Sequence, residues 1–302
     1  MSHPRSPRAL WSSLLLVSAL VAGAAACGGK KAGGSPALVR AIPADSEMIG
    51  AFDLKGMLQN ESLKQLAKVR GVDAGDIEQK LAAAGIKLDD IKGFMFGSTM
   101  PDGNEMPTFA AAIETSLDSA TAKKAMDSLM DMMPARGKDG SLTTEAVEGG
   151  VVLVGRGTLF DKAVTGAKGA GAGDVRPELA AMRDAVDAGA TMWFAGALPA
   201  DAKRGMGMLG RLTGEAKPTH FGMSINAGST IEIRLAVRLE GGDAGKLADT
   251  LGGFLKVMPR KQLPEGVGDL LDKVDIGGSG EVLTAKVSLP AEVLAKLTTD
   301  MR

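Results

Sequence analysis

The chain has 302 residues, and its 35 lysines and arginines nearly balance its 36 aspartates and glutamates, for a net charge of −1. This balance excludes the basic surplus with which proteins bind nucleic acid. Aromatic residues make up only 3% of the chain and tyrosine is absent, which also excludes broad platforms for stacking bases or sugars. The single cysteine excludes a disulfide within the chain, so the fold must rest on its hydrophobic core.

The first 27 residues have the layout of a secretory signal peptide. Arg5 and Arg8 form a positive start, residues 14–21 form a short apolar core, and small residues lead to Cys27. A cysteine directly after the small residues resembles the lipobox of bacterial lipoproteins, although Ala24 stands where the lipobox usually has leucine. That resemblance implies that residues 1–26 are removed, that Cys27 is diacylated and that the new N-terminus is acylated.

Two other interpretations of this segment stay open. Residues 10–26 could be a transmembrane anchor, but Ser12, Ser13 and Gly23 interrupt the run, which is shorter than the ~20 apolar residues that a spanning helix needs. The segment could also be an ordinary signal peptide with an incidental cysteine. Lipidation is favoured because Cys27 is the chain's only cysteine and stands where that modification would use it.

The lipoprotein resemblance also implies a location. A diacylglyceryl group and an N-acyl chain together exceed the two signals that stable anchoring requires, so the membrane is an expected partner through the N-terminal lipid. Gly28 stands where inner-membrane lipoproteins carry Asp, which in enteric bacteria implies sorting to the outer membrane. We therefore expect a lipid-anchored protein of a Gram-negative cell envelope, on either the periplasmic or the surface face. Residues 27–36 are expected to be the lipidated cysteine and a flexible, glycine-rich tether.

The first half of the body alternates between strand and helix patterns. Gly85 stops one helix, Asp118 is expected to cap another, and Thr158 begins a short helix with Asp161 as a partial capping box. Predicted strands cover 48–54, 91–100, 109–115, 142–147 and 151–154, and predicted helices cover 58–69, 76–84, 119–133 and a short segment from 158.

The second half repeats this order after a glycine-rich linker. Its predicted strands cover 191–198, 220–226, 230–239, 274–276 and 282–288, and its predicted helices cover 199–212, 243–258 and 290–297. The sequence KAMDSL from Lys124 matches KLADTL from Lys246 at the same place in the order. We infer a diverged internal duplication, with a first repeat over 37–168, a linker over 169–176 and a second repeat over 177–302.

Both halves thus predict the order β-α-β-β-α-β-β-α, in which neighbouring strands form hairpins. Hairpins imply antiparallel sheets, and the expected fold class is α+β, with two repeated sheet units and helices packed on one face. The two sheets could lie side by side or join. The body is similar, in element order alone, to uncharacterised duplicated α+β lipoproteins of Gram-negative bacteria, and this resemblance implies no functional residues.

Catalytic and metal-binding patterns are weak. After removal of the signal peptide, His220 is the one histidine for a Ser-His-acid triad, and a half-exposed strand residue is its expected role. The G-x-G-x-x-G match at 205–210 falls inside a predicted helix rather than between a strand and a helix, so it does not fit a dinucleotide site. No set of ligands for a metal emerges, and we expect no cofactor and no enzymatic activity.

The chain contains 17 methionines, which is the most unusual feature of its composition. Flexible methionines fill irregular cores and also line adaptable apolar grooves. Met126, Met130, Met133, Met206 and Met208 are the candidates for facing an apolar ligand, and core filling is the other interpretation. Two functions follow as hypotheses: a non-catalytic envelope module that binds or scaffolds protein partners, and a periplasmic carrier or sensor of a lipid in a Met-lined groove.

Overall fold

The computed structural model describes residues 35–69, 73–100, 107–131, 142–169, 175–198, 216–228, 230–257, 271–290 and 293. The helices are α1 Pro36–Arg40, α2 Leu54–Leu58, α3 Glu61–Val69, α4 Ala74–Ala83, a 3₁₀ turn Leu88–Asp90, α5 Ser119–Asp131, α6 Gly157–Ala167, α7 Pro177–Val186 and α8 Ala244–Val257. The strands are β1 Met48–Phe52, β2 Ile91–Ser98, β3 Phe109–Thr115, β4 Thr143–Val147, β5 Val151–Arg156, β6 Met192–Ala197, β7 Lys217–Ala227, β8 Thr230–Glu240, β9 Val274–Ser279 and β10 Val282–Pro290.

All ten strands form one antiparallel sheet in the order β4-β5-β3-β2-β1-β6-β7-β8-β10-β9. The two halves join at its centre, where β1 pairs with β6 so that Met48 lies opposite Gly196 and Phe52 opposite Met192. The predicted antiparallel α+β class is confirmed, and of the two arrangements that the sequence left open the sheets adopt the joined one. Read outward from the centre, the order is β1-β2-β3-β5-β4 on one side and β6-β7-β8-β10-β9 on the other.

Helices α1, α6 and α7 cover one face of the sheet, which we call the α7 face. Leu38 of α1, Phe160 of α6 and Met182 of α7 share a buried cluster with Ile49 of β1 and Trp193 of β6. Trp193 is fully buried there. This cluster spans the β1–β6 junction and therefore ties the two halves together.

The opposite face, which we call the α5 face, carries α2, α3, α4, α5 and α8. Met57 of α2, Leu81 of α4 and Met126 of α5 pack there with the sheet, and Leu247 of α8 packs with Leu283 at the other end. The prediction that the helices pack on one face is therefore wrong. The continuous apolar run of β5, VVLVG, which is buried at every position, is the physical reason, because a strand buried on both sides needs cover on both sides.

Several local boundaries differ from prediction for reasons of capping. Helix α1 begins at Pro36, the last residue of the predicted tether, because the Ser35 hydroxyl accepts a hydrogen bond from the Leu38 amide and the proline opens the helix. Strand β1 stops before Leu54 because Asp53 caps α2. Asp118 caps α5 as predicted, accepting a 3.0 Å hydrogen bond from the amide of Thr121.

Some predicted elements lie outside the described residues. These are the helix over 199–212, most of the linker and most of the closing helix over 290–297, whose first residue, Pro290, instead ends β10. Conversely, α7 was not predicted. It begins at Pro177, directly after the linker, and turns Leu179 and Val186 inward to the sheet.

Candidate functional site

Strand β8 separates apolar and charged side chains with a strict period of two. Ile231, Leu235 and Leu239 point to the α5 face, whereas Glu232 and Arg234 point to the α7 face. Successive side chains of a strand point to opposite sides of a sheet. The β8 sequence, TIEIRLAVRLE, therefore builds one wholly apolar surface and one charged surface in the second half of the molecule.

Cross-strand pairing extends the apolar surface over five strands, from β6 to β9. One row runs through the neighbours of Leu235 and a second through the neighbours of Ile233, and we call the ten residues of the two rows the apolar patch. They are Phe194, Met223, Leu235, Ala285 and Ile276 in the first row, and Met192, Ile225, Ile233, Val287 and Val274 in the second.

The two ends of the apolar patch are covered, and so is Ile233 in its second row, but in the described part of the chain Leu235 at the centre of the first row is not. Phe194 and Ile225 at one end pack against the core that α2 to α5 form with the sheet, and Ile276 at the other end packs against the cluster under α8. Between them, the Leu235 side chain is 45% exposed. Its neighbours Met223 and Ala285 are partly exposed, so Leu235 is the most exposed point of a contiguous apolar row, and contiguous apolar surface of this kind marks a site of interaction.

Helix α8 adds a second exposed apolar side chain beside this surface. Leu247 and Leu251 pack toward the sheet, and Phe254 lies one turn further on the same side of the helix, because residues seven apart share a helix face. Phe254 is nevertheless 46% exposed. The last described turn of α8 therefore presents an aromatic ring without full cover.

The opposite surface of the same strands is charged and internally paired. Glu232 accepts from Lys286 and from Arg234, each at 2.7 Å, and Arg238 lies 3.1 Å from Glu281. The hydrogen bond from Lys286, reinforced by Arg234, lowers the pKa of the Glu232 carboxyl below its ordinary value. This surface is thus a neutralised ion-pair network typical of a solvated sheet face, and the contrast isolates the apolar patch as the unusual surface.

The predicted ligand-facing methionines divide between core and residues that are not described. Met126 is only 4% exposed and packs in the core of the α5 face, and Met130 is partly buried against that core. Met133, Met206 and Met208 lie outside the described residues. For Met126 the observed role is core packing, and the ligand-facing role of the set stays a prediction.

His220 lies on β7, opposite Ala197 of β6 and Arg238 of β8. Its Nδ1 is 3.0 Å from the hydroxyl of Thr219. Within the described ranges, no group of three or more His, Cys, Asp and Glu side chains is placed to hold a metal ion. The G-x-G-x-x-G match at 205–210 and the lipidation candidate Cys27 lie outside those ranges.

Sequence reasoning missed the apolar patch, although a signal for it was present. The alternation of β8 continues for eleven residues, and its charges fall only on positions that face away from Leu235. None of the five methionines predicted to face a ligand belongs to the patch, whose own methionines are Met192 and Met223.

Comparison with known proteins gives a fold likeness only. No family model matches the chain, and no curated protein does. Two crystal forms of TP0453, a Treponema lipoprotein, are similar in structure. Form I has a TM-score of 0.44 at 9% identity over 87% of this chain and 96% of that one. Form III has a TM-score of 0.45 at 11% identity over 90% of this chain and 99% of that one.

Among the described helices, none is long and apolar enough to cross a bilayer.

Proposed function

We propose that this protein is a non-catalytic lipoprotein of the Gram-negative cell envelope, held to the outer membrane by lipid on Cys27, that binds an envelope protein through the apolar patch. The observation that carries the proposal is the half-exposed Leu235 at the centre of a row of apolar side chains. Exposing this surface to water is unfavourable by ~25 cal/mol per Å² of apolar area, so covering it provides a driving force for association.

The geometry favours a protein partner over a small apolar ligand. Ligand pockets bury 70–90% or more of a small molecule within a concave site, whereas the apolar patch is formed by side chains on one side of an extended sheet. Protein interfaces use such surfaces, with aromatic and methionine side chains at their centres. Phe194 and Met223 are neighbours across β6 and β7, and Phe254 stands exposed on α8.

A carrier or sensor of a lipid is the second candidate function. The patch is free of charged side chains across five strands, and Met223 has the flexibility to adapt to acyl chains. In this case the lipid would cover Leu235 in place of a protein.

We also propose that the two halves arose by internal duplication. The strand order outward from the centre is the same on both sides, and the matching sequences KAMDSL and KLADTL fall on α5 and α8, each of which follows the third strand of its half. Gly150 and Gly280, both with positive φ, turn the equivalent β4–β5 and β9–β10 hairpins. In the first half, α2 to α4 lie on the α5 face, the same face that carries the apolar patch in the second half.

Site-specific crosslinking tests the proposed function. A photoreactive residue is placed at Ala285, which belongs to the apolar patch, and as a control at Thr284, which points to the opposite face. In bacterial membranes we expect a discrete protein adduct from position 285, its absence from position 284, and its loss when Leu235→Asp is added. Equal adducts from both positions, or an adduct unaffected by Leu235→Asp, would contradict a role for the patch.

Native mass spectrometry separates the second candidate from the first. A chain carrying Cys27→Ser lacks the site of its own lipidation, so any lipid that remains bound is a ligand. A co-purifying lipid that Leu235→Asp removes would identify a carrier. A mass without bound lipid, together with the crosslinked protein adduct, would identify the binding module.

A further inference from the structure

A concave site lies on the first half of the molecule, between the segment that follows α1 and the outer side of α6. It has a volume of about 450 Å³. Its apolar wall includes the buried residues Ile42 and Pro43, whereas Arg40, Asp161 and Lys162 bring charged groups of both signs to it. It therefore differs in chemistry from the apolar patch.

The sequence of α6 builds this site by dividing the helix into two sides. Phe160 and Ala163 pack into the buried cluster of the α7 face, which turns Asp161 and Lys162 outward. Thr165 and Gly166, one turn further along the helix, complete the lining on this side.

Two of the charged side chains, Lys162 and Asp45, hold each other in position. Lys162 Nζ forms a short ion pair with the carboxylate of Asp45, and Arg176 Nη2 donates a 3.1 Å hydrogen bond to the Asp45 carbonyl oxygen. Asp45 and Lys162 therefore form a neutral, positioned part of the rim, although both remain about half exposed to solvent.

The other two charged groups are open to a ligand. Within the described residues, neither the Arg40 guanidinium nor the Asp161 carboxylate has a side-chain hydrogen bond or ion pair. The predicted capping box at Asp161 is wrong: α6 starts at Gly157 and its N-cap residue makes no side-chain capping bond, so the carboxylate is not used there. The Thr165 hydroxyl donates a 2.9 Å hydrogen bond to the backbone carbonyl of Asp161 rather than to its carboxylate.

A cation and an anion that line one pocket match a ligand with the opposite pair of charges. A guanidinium binds a phosphate group through paired N–H donors, and a carboxylate accepts hydrogen bonds from a primary ammonium. A phosphate and a primary ammonium joined by a short linker, as in a phosphoethanolamine group, present both charges within the span of a small pocket.

The position of the site in the chain favours a lipid as the source of that group. Residues 27–34 can extend over at most ~29 Å, at up to ~3.6 Å per residue, and Arg40 ends the five-residue helix that starts at Pro36. If Cys27 carries the proposed lipid, which this step assumes, the site is held within reach of the bilayer surface. Headgroups are then the most concentrated zwitterions around it.

We propose that this pocket binds the headgroup of phosphatidylethanolamine, with the phosphate on Arg40 and the ammonium on Asp161. Such a contact would orient the body on the membrane and leave the apolar patch, which is on the opposite face of the sheet and in the other half, free for its partner.

The test uses the chain with Cys27→Ser, so that it does not depend on lipidation, and titrates it with O-phosphoethanolamine by NMR. We expect saturable shifts in α6, with binding weakened about tenfold by Arg40→Gln and by Asp161→Asn, since each removes one charge-assisted contact. Matched controls are Arg183→Gln and Asp184→Asn, an exposed pair on α7, which should leave binding unchanged. Phosphocholine, whose ammonium cannot donate a hydrogen bond, should bind more weakly.

Two results of the titration, and one of vesicle flotation, would overturn the proposal. Inorganic phosphate that binds as tightly as O-phosphoethanolamine would reduce the pocket to a simple anion site, and binding unaffected by both variants would place the ligand elsewhere. Vesicle flotation then identifies the source: vesicles with phosphatidylethanolamine should retain more protein than pure phosphatidylcholine, whereas equal retention would refute a lipid headgroup. Because the protein partner of the apolar patch is not involved, failure here is distinct from failure of the crosslinking experiment.

Discussion

Ile231 and Leu235 lie on the same strand and the same sheet face, four residues apart, but differ sharply in burial. Ile231 is fully buried in the core that includes α2 and α3, whereas Leu235 is 45% exposed. We expect Ile231→Ala to lower the free energy of unfolding by ~2–5 kcal/mol, because it removes buried carbons and leaves a cavity. Leu235→Ala removes three carbons that are only about half buried, which at ~0.8 kcal/mol per buried methylene predicts a loss of ~1 kcal/mol.

Urea unfolding followed by circular dichroism measures both losses in the chain carrying Cys27→Ser. The slope of the unfolding free energy against urea should be the same in both variants, since neither changes the surface that unfolding exposes by much. A loss for Leu235→Ala as large as that for Ile231→Ala would refute the reasoning. It would mean that Leu235 belongs to the core, and the apolar patch would no longer be surface that is available for binding.

Three further predictions concern local interactions. Asn60→Ala should lower stability by ~1–2 kcal/mol in thermal unfolding, because its side-chain oxygen accepts from two amides in the first turn of α3. Lys286 lowers the pKa of Glu232 in the folded state, so this carboxylate stabilises the fold above its ordinary pKa of 4.5 and less as pH falls below it; Glu232→Gln should flatten the acid side of a stability-versus-pH curve. Gly150→Ala should destabilise more than Gly149→Ala: both residues have positive φ, but a Cβ at 150 would lie 2.4 Å from a carbonyl oxygen of β3.

Each of these three predictions has an outcome that contradicts it. An unchanged melting temperature for Asn60→Ala would mean that the N-terminus of α3 is capped by other groups. An acid limb that is equally steep in Glu232→Gln would assign the pH dependence to other carboxylates. Equal losses at Gly149 and Gly150 would show that backbone conformation alone, rather than the close carbonyl, sets the cost.

Local structure was largely predictable because the elements carry their own periodicity and stop signals. Strand β3 occupies the predicted 109–115, and Gly85, with a φ of +80°, follows the end of α4. Helices α1 and α7 were missed because each opens on a proline after a glycine-rich stretch, a composition typical of a linker. The contrast shows that flanking residues can mask a helix whatever its internal pattern.

The arrangement of the elements in the sheet was harder to predict from the sequence. Nothing in the local pattern of Met48–Phe52 or Met192–Ala197 specifies that these strands pair with each other, because their partner is set by the whole sheet. The pocket at Arg40 and Asp161 brings together residues more than a hundred positions apart and has no sequence signature. The alternation of β8, in contrast, predicts that one face of this strand is apolar. Whether other elements cover that face depends on tertiary packing.

Membrane tethering is tested most directly by the intact mass of the full-length protein, purified gently from bacterial membranes. The proposed envelope function and the headgroup site both depend on that tethering. We expect a chain that begins at Cys27 and carries a diacylglyceryl group, with or without an N-acyl chain. An uncleaved chain, or one that begins elsewhere with an unmodified Cys27, would refute lipid anchoring.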